Sequence, residues 1–260
     1  MTPARHHAEW LSLVETSGPF LSMPVLLRVF PQGLELRDPA KASRLREAYE
    51  DWLERGEKQP AVHHAWIRHV LTELLEYPPE FLVEGQAIPP GTEAVMANYG
   101  ETLRPEFVLK HRDAAQKPLL LIEHYAPDQD LEKPVAGKTW KASPGTRMME
   151  LLHAADVPLG LVTNGEQWMI VSAPRGETTG FASWYADLWM QEPLTLRAFH
   201  SLLHLRRFLG VADRRGVGHE GTGADAQGGF AGDVAEIKRC LRELDSEGGR
   251  QNFQSRRTVG

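Results

Sequence analysis

The chain has 260 residues, 42% hydrophobic and 25% charged, the balance of an ordinary globular protein of one large or two modest domains. Its net charge of −6, from 29 Lys and Arg against 35 Asp and Glu, argues against strong autonomous binding to nucleic acid, whose phosphates call for a basic partner. No apolar run approaches the ~18 residues that span a bilayer, the N-terminus "MTPARHHAEW" lacks a signal-peptide pattern, and a single cysteine, Cys240, excludes an internal disulfide, so the expected site is the cytoplasm, with no membrane.

Residues 41–54, "KASRLREAYEDWLE", put Leu45, Tyr49, Trp52 and Leu53 on one helical stripe. Residues 61–76 repeat the pattern through Ile67, Leu71, Leu74 and Leu75, and "YPPE" stops that helix. From 84 to 103 the text is polar and broken, which predicts a connection with at most a short strand. "PEFVL" (105–109) and "PLLLIEHY" (118–125) are short apolar runs that predict a hairpin around the polar "KHRDAAQK". "SPGTRMMELLHAADV" reads as a helix with Ser143 as N-cap and Pro144 in the tolerated first position. Asn164-Gly165 between "LGLVT" and "EQWMIV" is the strongest short hairpin signal in the chain. "FASWYADLW" predicts a further strand. "LTLRAFHSLLHLRRFLG" predicts an amphipathic helix through Leu196, Phe199, Leu202 and Leu203, closed by Gly210. No internal repeat is present.

This order predicts an α/β fold, a mixed sheet flanked by helices. Residues 1–100 form a mainly helical N-terminal portion packed on the core, 101–210 the α/β core, and 211–260 a Gly-rich linker with a short helix near 233–245 and a flexible C-terminal tail. Charge is unevenly placed: residues 1–100 carry 9 basic and 14 acidic side chains, residues 101–215 carry 14 of each.

The chemistry-bearing pair is Glu106 and Glu123. If the two strands pair so that residue numbers sum to about 229, the carboxylates face each other with Cβ atoms roughly 4.5–5.5 Å apart. Carboxylates that close repel and resist burial unless a cation lies between them. Mg²⁺ suits such a pair, and a bound metal activates water and stabilises a phosphodiester transition state.

"RPEFVL…PLLLIEHY" resembles the Pro-Asp…Glu-x-Lys core of the restriction-endonuclease-like fold. "ASPGTRMMELLHAADVPLGLVTNGEQWMIVSAPRGETTG" resembles the N-terminal region of large type IIG-like restriction–modification enzymes and of the DNA (adenine) methyltransferases of DISARM-type phage-defence systems. The likeness covers residues 100–210 well and the N-terminal part loosely. It implies a nuclease-like domain ahead of a helical spacer and an adenine methyltransferase, with DNA and other subunits of a defence complex as partners. It also implies that Glu106, Glu123 and Tyr125 are the catalytic positions and that Glu106 and Glu123 hold Mg²⁺. Glu106 stands where the family has Asp, which keeps a carboxylate. Tyr125 stands where the family has its lysine; with a pKa of ~10 it supplies no cation, so the site is expected to be catalytically impaired. Lys110 shares Glu106's face but lies roughly 13 Å along the strand, too far to substitute. Lys133, Lys138 and Lys141 are the remaining candidates.

No Gly-rich cofactor turn follows a strand, and no Asn-Pro-Pro-aromatic tetrapeptide grips a flipped adenine, so S-adenosylmethionine is not expected to bind this chain. The chain is expected to be a fragment or remnant of a larger protein. Plainer readings stand beside these. Glu123 could be the solvent-facing end of a core strand with Tyr125 packed alongside, and the whole a non-catalytic DNA- or protein-docking module. The adjacent pairs His6-His7 and His63-His64 read as surface residues that cannot share a metal. His124 faces away from Glu123. Trp140, Trp168, Trp184 and Trp189 read as core rather than base-stacking platforms.

Overall fold

The computed structural model describes residues 2–208 apart from 36, 37, 57 and 112–116. The expected linker, short helix and tail beyond 211, and the closing Gly210, lie outside the described residues. The N-terminal part opens with helix α1 (Pro3–Leu11), a short strand β1 (Glu15–Ser17) and helix α2 (Met23–Val29), none of which the sequence pattern had marked. Helices α3 (Pro39–Arg55) and α4 (Pro60–His69) follow where the apolar stripes predict them, and α4 runs on as a wider turn over Val70–Leu74.

The α3 stripe buries Leu45, Tyr49 and Trp52 but leaves Leu53 57% exposed. At 100° per residue, Leu53 falls about 80° from Leu45 and off the stripe's edge. Asp38 caps α3, accepting from the Ala40 and Lys41 N–H groups at 2.9 and 3.3 Å.

The remaining strands are β2 (Leu82–Glu84), β3 (Ala94–Met96), β4 (Glu101–Leu103), β5 (Phe107–Lys110), β6 (Pro118–His124), β7 (Leu159–Thr163), β8 (Gln167–Ser172) and β9 (Gly180–Tyr185). Seven of them form one mixed sheet in the order β1-β9-β8-β7-β6-β5-β2. Only β6 and β7 run parallel, joined through helix α5 (Pro144–Ala155). The stretch from 84 to 103 holds more than the expected single short strand: β3 and β4 pair as a separate two-stranded hairpin, turned by Gly100 at φ 66°.

The expected strand over 181–189 stops early. The Ala186 N–H to Glu166 carbonyl bond (2.8 Å) is the last rung of the β8–β9 ladder; the next N–H, of Asp187, turns to the Glu166 carboxylate (3.1 Å), and Ala186–Gln191 is helix α6. Helix α7 (Pro193–Leu203) ends at His204, with extended backbone, before the short α8 (Leu205–Phe208). No helix among the described residues is long and apolar enough to cross a membrane.

Side-chain alternation divides the core in two. Leu120 and Ile122 of β6, Leu161 of β7 and Trp168 and Ile170 of β8 face the larger layer, with α1–α4 and α7. Val108, Leu121, Val162, Met169 and Val171 face α5 and the β3–β4 hairpin. At Gly160 a Cβ would stand 2.4 Å from Met148 Sδ, so any larger residue would force the Met148 side chain between α5 and β7 to move. Gly165, at φ 91°, makes the Asn164-Gly165 turn between β7 and β8, and its carbonyl accepts from the indoles of Trp66 and Trp168 at 2.8 and 3.1 Å.

Candidate functional site

The β5–β6 hairpin has the expected register: Phe107 pairs with Ile122, Val108 with Leu121 and Leu109 with Leu120. The paired register ends at Phe107, and Glu106 lies in the bend just before β5, near enough to Glu123 for its charge to act on that carboxylate. The Glu106 N–H donates to the Ile122 carbonyl at 2.9 Å, and the Glu106 carboxylate accepts from the His124 N–H at 3.0 Å.

The two carboxylates differ sharply in environment. Glu106 is exposed; desolvation by surrounding protein still lifts its pKa, but solvent screening leaves little energetic weight to that shift. Glu123 is not a solvent-facing strand end: it is 5% exposed. Burial pushes its pKa up to about 7, and the negative charge of Glu106 adds to the rise. Against these act the Tyr125 hydroxyl, which donates to Glu123 Oε2 at 2.7 Å, and the charges of Arg147 and Lys138. Tyr125 is raised far above the ordinary phenol range, first by burial and then by Glu123, so it remains a neutral donor.

Tyr125 is itself pinned from the opposite layer. Trp52 donates its indole N–H to His63 Nδ1 at 3.0 Å. An indole only donates, so Nδ1 accepts and the proton lies on Nε2, which donates to the Tyr125 carbonyl at 2.8 Å. The same relay recurs at the N-terminus, where Trp10 donates to His7 Nδ1 (3.1 Å) and His7 Nε2 to the Phe30 carbonyl (3.1 Å). His7 and His63 are therefore buried, contrary to the expectation of surface pairs, because each is fully satisfied between an indole and a carbonyl. His124 does face away from Glu123; it packs on His63, His64 and Phe107, and burial lowers its pKa to about 4.

Sequence reasoning missed the cationic side of the site. Arg147, near the start of α5, is 5% exposed and donates from Nη2 to Glu101 Oε2 at 2.9 Å. Glu101 Oε1 accepts the N–H groups of Thr139 (2.6 Å) and Trp140 (3.0 Å), so one carboxylate on β4 fastens both α5 and the loop before it. The Arg147 guanidinium also lies 5.5 Å from the Trp140 ring. Of the lysines in that loop, Lys133 pairs with Asp130 at 2.8 Å, whereas Lys138 is the one whose charge reaches both Glu106 and Glu123. An α5 arginine found by a β4 carboxylate has no local sequence signal. Trp168, Trp184 and Trp189 are buried as expected, and Trp140 is half-buried against Tyr99.

No group of three or more His, Cys, Asp and Glu side chains among the described residues is arranged to hold a metal. Two carboxylates alone do not make a closed cage, but they fit Mg²⁺, which takes one or two carboxylates and completes its shell with water and substrate phosphate. With Glu123 titrating near neutrality, a proton and a cation compete for the same oxygens.

A cavity of about 570 Å³ lies elsewhere, between α3 and α7, lined by Glu35, Lys41, Glu76, Arg197, His200 and His204. Its groups satisfy one another. Glu76, held at φ 59°, pairs with Lys41 and with His204 Nε2 (2.8 Å), while His204 Nδ1 accepts the Arg206 N–H at 3.2 Å. The backbone donor fixes the proton of His204 on Nε2, which leaves that nitrogen no lone pair for a metal. The carboxylate pair is the better candidate.

No protein-family model, curated protein or solved structure matches the chain.

Proposed function

We propose that the chain is a restriction-endonuclease-like domain of a restriction–modification or DISARM-type phage-defence DNA methyltransferase, with Glu106 and Glu123 as the residues that take a divalent cation beside DNA phosphate. The domain is catalytically impaired. The supporting observation is that Glu106, in the bend before β5, lies within electrostatic reach of Glu123 at the carboxyl end of the parallel β6–β7 pair, with the Tyr125 hydroxyl on Glu123 where a cationic side chain would act. When bound, Mg²⁺ would supply Lewis-acid stabilisation of a phosphodiester and lower the pKa of a water. The chain's own residues do the rest. Glu106 and Glu123 present charge, and Arg147 and Lys138 lower the cost of ionising Glu123. Tyr125 donates a hydrogen bond but brings no positive charge, so charge developing on phosphate goes unanswered at that position. The same feature favours a second reading, a non-catalytic module that docks a methylase on DNA or on partner subunits.

A metal-dependent shift of unfolding temperature separates the two. Mg²⁺ or Mn²⁺ should stabilise the wild type, by ~2.7 kcal/mol at a hundredfold excess over Kd. The shift should grow as pH rises through about 7, where Glu123 loses its proton. Glu123→Ala should abolish it. If neither protein responds, or both respond alike, the carboxylates are not the cation site and the docking reading stands. In the cation-site reading, Tyr125→Lys should keep the metal response and add metal-dependent nicking of plasmid DNA.

A further inference from the structure

Among the described residues only three large hydrophobic side chains are exposed, Leu53, Val95 and Tyr99, and two of them belong to the β3–β4 hairpin. Tyr99 is 41% exposed, and its ring stacks on Trp140 at 5.7 Å and 28°. Trp140 cannot drift, because its own N–H is held by Glu101 and its ring meets the Arg147 guanidinium. The tyrosine ring is thus backed by a fixed tryptophan and presents aromatic surface to solvent.

Three of the cations around this ledge are held in ion pairs. Arg104 pairs with Glu93 at 2.9 Å, Arg147 with Glu101 at 2.9 Å, and Lys133 with Asp130 at 2.8 Å. Lys138 and Lys141, which flank Trp140 in sequence, are exposed and make no ion pair with the described residues. Lys138 also lies within electrostatic reach of Glu106 and Glu123, so ledge and carboxylates are neighbours.

We infer that the Tyr99–Trp140 ledge, with Lys138 and Lys141, binds an unpaired stretch of nucleic acid, one base stacking on Tyr99 and the adjoining phosphates meeting the two lysines. The inference rests on the nuclease-like reading of the adjacent carboxylates. Aromatic rings interleaved with unpaired cations are the general means of holding single strands, because every base has a π-face and each nucleotide a phosphate. A duplex keeps its base faces inside the stack and offers only the phosphates. A protein partner would call for a broader apolar area than one ring and one valine edged by lysines.

The test is fluorescence anisotropy with the full chain and a labelled oligonucleotide roughly 12 nucleotides long, within the usual site sizes. The probe is used as a single strand, as a duplex, and as an abasic strand. The wild type should prefer the single strand over the duplex. Tyr99→Ala, a surface change, should weaken single-strand binding roughly 5- to 100-fold, the usual worth of one stacked base. Tyr99→Phe should bind as wild type. The abasic strand should bind weakly and be indifferent to Tyr99→Ala. The double substitution Lys138→Glu, Lys141→Glu should weaken all three probes and flatten the salt dependence. Wild-type affinity in Tyr99→Ala, a preference for duplex, or no binding of any probe overturns the inference. So does binding of poly-glutamate with the same dependence on Tyr99, which would assign the ledge to an acidic protein. The metal-dependent thermal shift judges the carboxylate reading separately, since Tyr99 and the two lysines are not among its ligands.

Discussion

Glu123 carries the sharpest residue-scale consequence. Its pKa in the folded protein is raised to about 7 from an ordinary 4.5, so the folded state binds the proton more tightly than the unfolded chain. The contribution to stability is present below pH ~4.5 and is lost as pH rises through ~7, on the order of 3 kcal/mol in all. Glu123→Gln keeps an acceptor for the Tyr125 hydroxyl but cannot ionise. In denaturant titrations the variant should match the wild type near pH 5 and exceed it by up to that amount near pH 8. Equal pH slopes for the two proteins would show that Glu123 is not desolvated. Tyr125→Phe tests the partner: loss of a hydrogen bond to a buried carboxylate should cost about 1–3 kcal/mol at pH 8, and less at pH 5 where the carboxyl is protonated.

The position of Glu123 in its strand and the register of the β5–β6 hairpin were legible in the sequence, because strand alternation and hairpin register are local arithmetic. Its burial was not. The side chains that cover it, Tyr125, Arg147 and the loop held by Glu101, come together only through the tertiary arrangement of α5 and the β3–β4 hairpin. Tyr125 could be flagged as the wrong residue for a lysine position, but not as the hydrogen-bond donor to Glu123.

Helices α3, α4, α5 and α7 and strands β5 to β8 follow from apolar periodicity and turn chemistry, since their patterns are long enough to dominate their neighbours. The β3–β4 hairpin and α6 did not, for different reasons. Three-residue strands carry too little alternation to read, and α6 begins where the Asp187 N–H leaves the ladder for the carboxylate of Glu166, distant in sequence. The α5–β7 contact makes an element-scale prediction. Gly160→Ala should destabilise by ~1–3 kcal/mol through overpacking against Met148, and Met148→Ala in the same chain should recover part of that loss, leaving a non-additive cycle. Additive effects in thermal or chemical unfolding would mean that helix and strand do not meet as described. Ser143→Ala should cost about 1 kcal/mol, since its Oγ accepts the Thr146 N–H at 3.3 Å as the helix cap.

At the scale of the whole molecule, one sheet separates a thick helical layer from the thinner layer that holds the carboxylates. Strands β1 and β2, from the first hundred residues, form its two edges. The N-terminal part therefore completes the same sheet that positions the site, and His63 of α4 reaches across to the Tyr125 carbonyl. With a net charge of −6, the chain should bind duplex DNA weakly, about 10⁻⁴–10⁻⁶ M at physiological salt, and nanomolar salt-resistant binding in a gel shift would contradict that. It should transfer no methyl group from S-adenosylmethionine to DNA.

The central claim is that Glu106 and Glu123 together take a divalent cation. Calorimetric titration of Mn²⁺ into the wild type and into Glu106→Ala and Glu123→Ala at pH 8 tests it most directly. One site per chain is expected in the wild type, weakened at least about tenfold by either substitution. Mn²⁺ binding that survives both substitutions unchanged, or that is absent from the wild type, would contradict it.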